Sequence, residues 1–202
     1  MTAPQSRPRV RALLPVLLVA ALGTLLINVA QSKLADRIQA GKAQRDMRPV
    51  FDVMPLQHDN DLLADRITID VLQQGLSANV FRARRAGQPV GVVVMPVMAG
   101  GYNGSIELAV GIAYDGTLTG VHILRHHETA GLGDQVHQQK SAWLDQFPGR
   151  SLSDTPPEAW AVAPDGGRFD GISGATITPR GVIRAIHAVL TRYGADTDAF
   201  YR

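Results

Sequence analysis

The chain has 202 residues, a formal net charge of +2, and 45% hydrophobic against 19% charged residues; that is enough for one domain with a true core plus an anchor or tail. It has no cysteine, which excludes disulfides, thiolate metal sites, iron–sulfur ligation and C-x-x-C-H haem attachment. Its arginines are scattered apart from Arg82, Arg84 and Arg85, with no aromatic residues interleaved in a basic stripe, so the composition argues against nucleic acid as a partner.

Residues 12–32 carry no charge and match the roughly 20 apolar residues of a membrane-spanning helix. Arg7, Arg9 and Arg11 precede this run. The positive-inside tendency therefore predicts a cytoplasmic N-terminus over 1–11, a transmembrane anchor over 12–32 and the remaining chain on the far side. A cleaved secretory signal is the alternative. The run is longer than a signal's apolar core of about 7–15 residues, and Ile27-Asn28-Val29-Ala30-Gln31 is not a clean cleavage site. Residues 33–74 read as a stalk and linker. Their first part, LADRIQAGKAQRDM, has the helix formers and alternating charge of a solvated helix. Asp59-Asn60-Asp61 either caps a short helix through Leu62, Leu63 and Ile67 or opens a loop.

After Gly75 the pattern turns to strand. Val80–Arg85 and Val90–Val97 flank the turn Gly87-Gln88-Pro89, and Pro96 is expected to end the second strand or lie at an edge. Beyond the glycine-rich turn Gly100–Gly104, Ile106, Leu108, Val110 and Ile112 alternate as in a half-buried strand. Asp115-Gly116 is a hairpin signal leading into Leu118–Leu124. A short helix is expected over Asp134–Leu144. The last helix is the clearest: Val182, Ile186, Val189, Leu190 and Tyr193 form one apolar stripe. Thr178 is expected as its cap, Pro179 as its first residue and Gly194 as its terminator. These elements predict an α+β fold with a largely antiparallel sheet packed by helices, preceded by the single transmembrane helix.

The segment from Asp170 to Pro179, DGISGATITP, holds the chemistry. Gly171, Gly174 and Ala175 let a bulky group approach the backbone. Ser173, Thr176 and Thr178 supply hydroxyls, and the segment runs into a helix N-terminus, which favours a phosphate. A plain capped turn explains the same residues. His122, His126, His127 and His137 lie close in sequence but show no metal-ligand spacing, so no metal is expected.

Ser173-Gly174-Ala175-Thr176, led in by Asp170-Gly171, resembles the flavinylation motif of the FMN-binding domains in Rnf-type electron-transport complexes and the sodium-pumping NADH:quinone reductase. So do Gly101–Ile106 with Gly111, Asp115-Gly116 and Gly120-Val121, and the run His127-Glu128-Thr129-Ala130-Gly131-Leu132-Gly133, where that family usually has proline in place of Ala130. The resemblance covers 75–202 and, with the single anchor, is to the G subunits of the Rnf type. It implies a covalent FMN-binding domain, with FMN joined through its phosphate to Thr176 by a flavin transferase. It further implies that Glu128, Thr129 and Leu132 lie beside the ring with Gly131 and Gly133, a solvated loop acid being the alternative for Glu128, that Asp170 serves transferase recognition or braces the turn, and that His127 contributes to the loop. Tyr102 is either a ring-stacking residue or a core or hairpin-edge one. The implied role is an electron carrier among the other subunits of a membrane complex, a redox subunit rather than a stand-alone enzyme. The implied location is a bacterial inner membrane, single-pass, with the C-terminal domain periplasmic. A flavin subunit of another membrane chain and a cofactor-free anchored assembly module are the alternatives.

Overall fold

The computed structural model describes residues 8–70 and 77–202, with side chains at 15–29, at 31 and from 47 onward. The chain divides into two compact units, Met1–Met47 and Arg48–Arg202.

Where described, the first unit is residues 8–47 of helix α1, Pro8–Val53, whose last residues belong to the second unit. Its described apolar side chains, Val16 to Val29, are exposed. Among the described residues, no helix is long and apolar enough to cross a membrane. The anchor expected over 12–32 falls on α1, although the side chains of residues 12–14, 30 and 32 lie outside the described residues, as do residues 1–7 and Gly75.

The second unit is α+β. Five antiparallel strands lie in the order β1-β2-β3-β4-β5: Arg66–Asp70, Ser77–Arg85, Gln88–Gly100, Ser105–Ala113 and Leu118–Arg125. Each is joined to the next by hydrogen bonds along the chain order, so the sheet is a simple meander built from hairpins. Helix α2, Ile177–Ala195, covers one face. Its stripe of Val182, Ile183, Ile186, Val189, Leu190 and Tyr193 is fully buried against Val80, Val92, Val94, Leu108, Val110, Ile112 and Ile123. Burial of each such side chain stabilises by about 1.5–3 kcal/mol relative to exposure. The other face receives the end of α1. Glycines in β4 and β5 leave a trench for it: a Cβ on Gly111 would meet the Val53 carbonyl oxygen at 2.1 Å, and one on Gly120 the Val53 Cα at 2.9 Å. The Thr119 hydroxyl donates to that same carbonyl, and Asp52 lies 3.4 Å from His122.

Four expectations are corrected, and one that stood between two alternatives is decided. Pro96 neither ends β3 nor lies at an edge. The strand continues to Gly100 between β2 and β4, and a register shift between Val94 and Val97 absorbs the missing donor. Asp61 caps only one turn, accepting from Leu63 N and Ala64 N, after which the chain enters β1 rather than a helix. No helix spans Asp134–Leu144. Two separate 3₁₀ turns, Gly133–Val136 and Trp143–Gln146, replace it. Between them the Gln138 amide accepts from Ile123 N and donates to Ile123 O on edge strand β5, which pulls the backbone out of helical geometry. At α2, the helix starts at Ile177 with Thr176 in the cap position, so Thr178 and Pro179 lie inside the first turn. Gly194 does not stop α2, which runs to Ala195, where Asp196 takes over and accepts from Ala199 N.

Candidate functional site

The turn before α2 is braced from behind by aromatic rings. Phe169 stacks on Phe147 at 4.9 Å and makes a tilted contact with Trp160 at 5.0 Å between centroids. The Trp143 indole donates to Asp170 O at 2.7 Å, and Asp170 N donates to the Gln146 side chain at 2.7 Å. So held, the backbone turns sharply. Gly174 adopts φ +77, a conformation that favours glycine, and Ala175 N donates to Ile172 O at 3.1 Å. Thr176 follows with φ −75 and ψ −33 and makes no side-chain capping bond. Its side chain is exposed.

Thr178, two residues on, is the opposite case. It is 0% exposed, and its hydroxyl donates to the Glu128 carboxylate. Glu128 itself is 9% exposed. Its other oxygen accepts from Asn103 N at 2.9 Å. The carboxylate therefore ties three segments together: the 101–104 turn after β3, the loop after β5, and the start of α2. Gly133 makes the fit possible, because a Cβ there would stand 2.4 Å from a Glu128 oxygen and 2.9 Å from the Thr178 hydroxyl. The loop is held internally. Asp134 accepts from Gly131 N at 2.8 Å, and Thr129 accepts from the Asn103 amide at 3.0 Å.

These segments enclose an open cleft of about 340 Å³ lined by Tyr102, Glu128, Thr129, Leu132, Ala175, Thr176 and Ile177, among others. Its rim is apolar and wet: Tyr102 is 70% exposed, Leu132 41% and Ile177 47%. A second hollow, lined by Val162, Pro164, Ser173, Gly174 and Thr176, lies on the other side of the turn. Thr176 is the only one of the three hydroxyl residues in this segment to border both.

The FMN-binding domain family matches at residues 101–191, a span that contains every residue of the first cleft. Over 202 residues the chain is 36% identical to the G subunit of the ion-translocating oxidoreductase complex of Pseudomonas aeruginosa, covering 98% of this chain and 94% of that one. It is 38% identical over 190 residues to the protein of the same name from Cereibacter sphaeroides, covering 94% and 85% of the two chains. For that of Shewanella baltica the identity is 37% over 173 residues, covering 84% and 82%. The chain belongs to the family of these G subunits.

In this member of the G-subunit family the cleft gathers Glu128, Thr129, Leu132, Gly133, Gly174, Ala175 and Thr176. Ser173 faces the second hollow instead, and Gly131, at φ +78, is outside the cleft lining. Asp170 is exposed and contributes only its backbone to the brace. His127 is exposed and outside the cleft lining. Among the described residues, no group of three His, Asp or Glu side chains is placed to hold a metal. His126 and His137 lie ring against ring in a tilted pair with centroids 5.6 Å apart, and burial lowers the pKa of His137. Sequence reasoning missed Ile177 and the bond between Thr178 and Glu128. The exposed isoleucine just after the motif was a visible signal for the first; a contact spanning 50 residues left none for the second.

Proposed function

We propose that this chain is an electron carrier within a membrane ion-translocating oxidoreductase complex, holding FMN through a phosphoester on Thr176. The observation that carries the reading is the contrast between two threonines. The Thr176 hydroxyl is exposed, uncapped and borders both hollows, whereas that of Thr178 is buried and engaged with Glu128. Membership of the G-subunit family and the FMN-binding domain match support the cofactor.

The residues present fit such a group. FMN, when bound, supplies reversible one- and two-electron chemistry on its ring. Tyr102, Leu132 and Ile177 offer a partly apolar wall for a flat aromatic system, and exposed apolar side chains clustered at one cleft mark a binding surface. The first-turn N–H groups of α2 have no carbonyl partner a turn earlier, and with the helix dipole they favour the single negative charge of a phosphodiester beside Thr176. Forming the ester takes a proton from the hydroxyl and a hydroxyl from the phosphate, so the chain gains FMN less one water. A flavin transferase is the expected partner for that step. The wider assignment includes residues 12–32 as an anchor, 1–11 in the cytoplasm, and the Arg48–Arg202 unit on the periplasmic side of a bacterial inner membrane, with the complex's other subunits as redox partners.

The test is co-expression of the full chain with a flavin transferase, followed by a denaturing gel under ultraviolet light and intact mass. A fluorescent band heavier by FMN less one water, and absent in Thr176→Ala, is the expected result. A dark wild-type band beside an active control substrate overturns the covalent carrier.

A further inference from the structure

Buried acids in folded chains are almost always paired with a cation or a metal. Glu128 departs from that rule. It is 9% exposed, yet among the described residues no Arg, Lys or His forms an ion pair with it. Its two oxygens accept from a backbone N–H and a threonine hydroxyl, both neutral. The other buried acid of this loop, Asp134, has Lys140 at 3.9 Å. Fold maintenance alone does not require a charge at position 128: a neutral amide could accept from Asn103 N through its oxygen and donate through its NH2 to the Thr178 hydroxyl, which also accepts. The group also lines the cleft beside Thr176.

We propose that Glu128 is a potential-setting positioning residue: its unpaired carboxylate places a fixed negative charge at the floor of the cleft that disfavours added electrons on a ring bound there. The inference rests on the FMN reading above and deepens it. Each electron delivered to the ring adds negative charge unless a proton accompanies it. In a partly buried site the repulsion from a nearby carboxylate is screened far less than in water. Thr178 and Asn103 hold that charge in place, and the Thr178 hydroxyl partly neutralises it. The two side chains therefore act in opposite senses. Replacing the carboxylate by an amide makes reduction easier, and removing the hydroxyl leaves the charge less compensated and makes reduction harder. A purely structural role for the pair gives no reason for opposite signs.

The experiment uses the full chain loaded with FMN, its loading verified by intact mass. Wild type, Glu128→Gln and Thr178→Val are titrated with dithionite against a reference dye, and circular dichroism checks the fold. At a fixed potential, Glu128→Gln is expected to raise the reduced-to-oxidised ratio about tenfold or more, which for a two-electron couple is about 30 mV, and Thr178→Val to lower it. Shifts of the same sign, or a Glu128→Gln ratio within a few-fold of wild type, overturn the proposal. If Glu128→Gln does not fold, the sign of the Thr178→Val shift decides alone. A wild-type chain that carries no flavin is a distinguishable result, which overturns the FMN reading and with it this proposal.

Discussion

Gly181 of α2 rests directly on the backbone of Gly100 at the end of β3: a Cβ at position 181 would stand 1.7 Å from the Gly100 carbonyl oxygen. The contact fixes how closely the start of α2 approaches the sheet, and hence where Thr176 and Thr178 lie relative to the 101–104 turn. Gly181→Ala must push the helix outward, because the clashing atom is backbone. Overpacking of this kind costs about 1–3 kcal/mol. The expected outcome is a lower unfolding midpoint together with poorer covalent flavin loading, read by thermal melt and by band fluorescence. A variant as stable and as well loaded as wild type would show that α2 has slack here.

Thr176 and Thr178 differ by burial, and isosteric replacement separates them. Thr176→Val removes an exposed hydroxyl that makes no capping bond, so stability should change by less than about 0.5 kcal/mol. Thr178→Val strips a donor from a buried carboxylate and should cost about 1–3 kcal/mol, while keeping the flavin. Urea unfolding of the two variants, with mass spectrometry for loading, checks both halves. The reverse ranking would return Thr178 to the simple capping role that the sequence suggested.

Four strands and α2 were legible because their signals are local. Val92, Val93 and Val94 lie in a β-branched run, Ile106 to Ile112 alternate, and the α2 stripe repeats at helical spacing. Strand β1 was missed although Arg66-Ile67-Thr68-Ile69-Asp70 alternates. It is an edge strand with no fully buried residue, so its apolar content was too slight to outweigh the aspartates before it. The motif segment and the 128–133 loop were readable from resemblance, but their meeting was not. The cleft forms because Glu128 reaches both Asn103 and Thr178, and no periodicity encodes a contact between a hairpin turn, a loop and a helix start. Asp170 shows the converse. Two roles were open to it, and its backbone takes part in bracing the turn.

Gln138 substitutes for a missing neighbour of β5. As the sheet's edge, that strand has backbone groups with no sixth strand to pair with among the described residues. The Gln138 amide accepts from Ile123 N at 3.0 Å and donates to Ile123 O at 3.3 Å, and its nitrogen lies 2.7 Å from His122 Nε2. Gln138→Ala leaves these groups to water or unpaired, at a cost of about 1–2 kcal/mol. Faster amide exchange at Ile123, with little change in the centre of β3, is the expected signature. Uniform acceleration across the sheet would mean that the whole unit, not the edge, depends on Gln138.

Acid should weaken the Arg48–Arg202 unit through its histidines. Desolvation lowers the pKa of His122, which faces Asp52, His137 and Arg48; Asp52 opposes the shift without reversing it. His137, beside His126, Lys140 and Asp134, is also lowered chiefly by desolvation. So is His187, stacked on Trp160 at 5.4 Å. A histidine whose folded pKa lies below its unfolded value of 6.5 is held neutral by the fold, so the unfolded chain binds more protons between the two values. The stabilisation is therefore complete above about pH 6.5 and is lost as pH falls through the folded pKa values. Urea midpoints should fall between about pH 7.5 and about pH 5.5, before most carboxylates titrate. The double variant His122→Asn, His137→Asn should show a flatter profile over that window. An unchanged slope would place the acid sensitivity in groups other than these two.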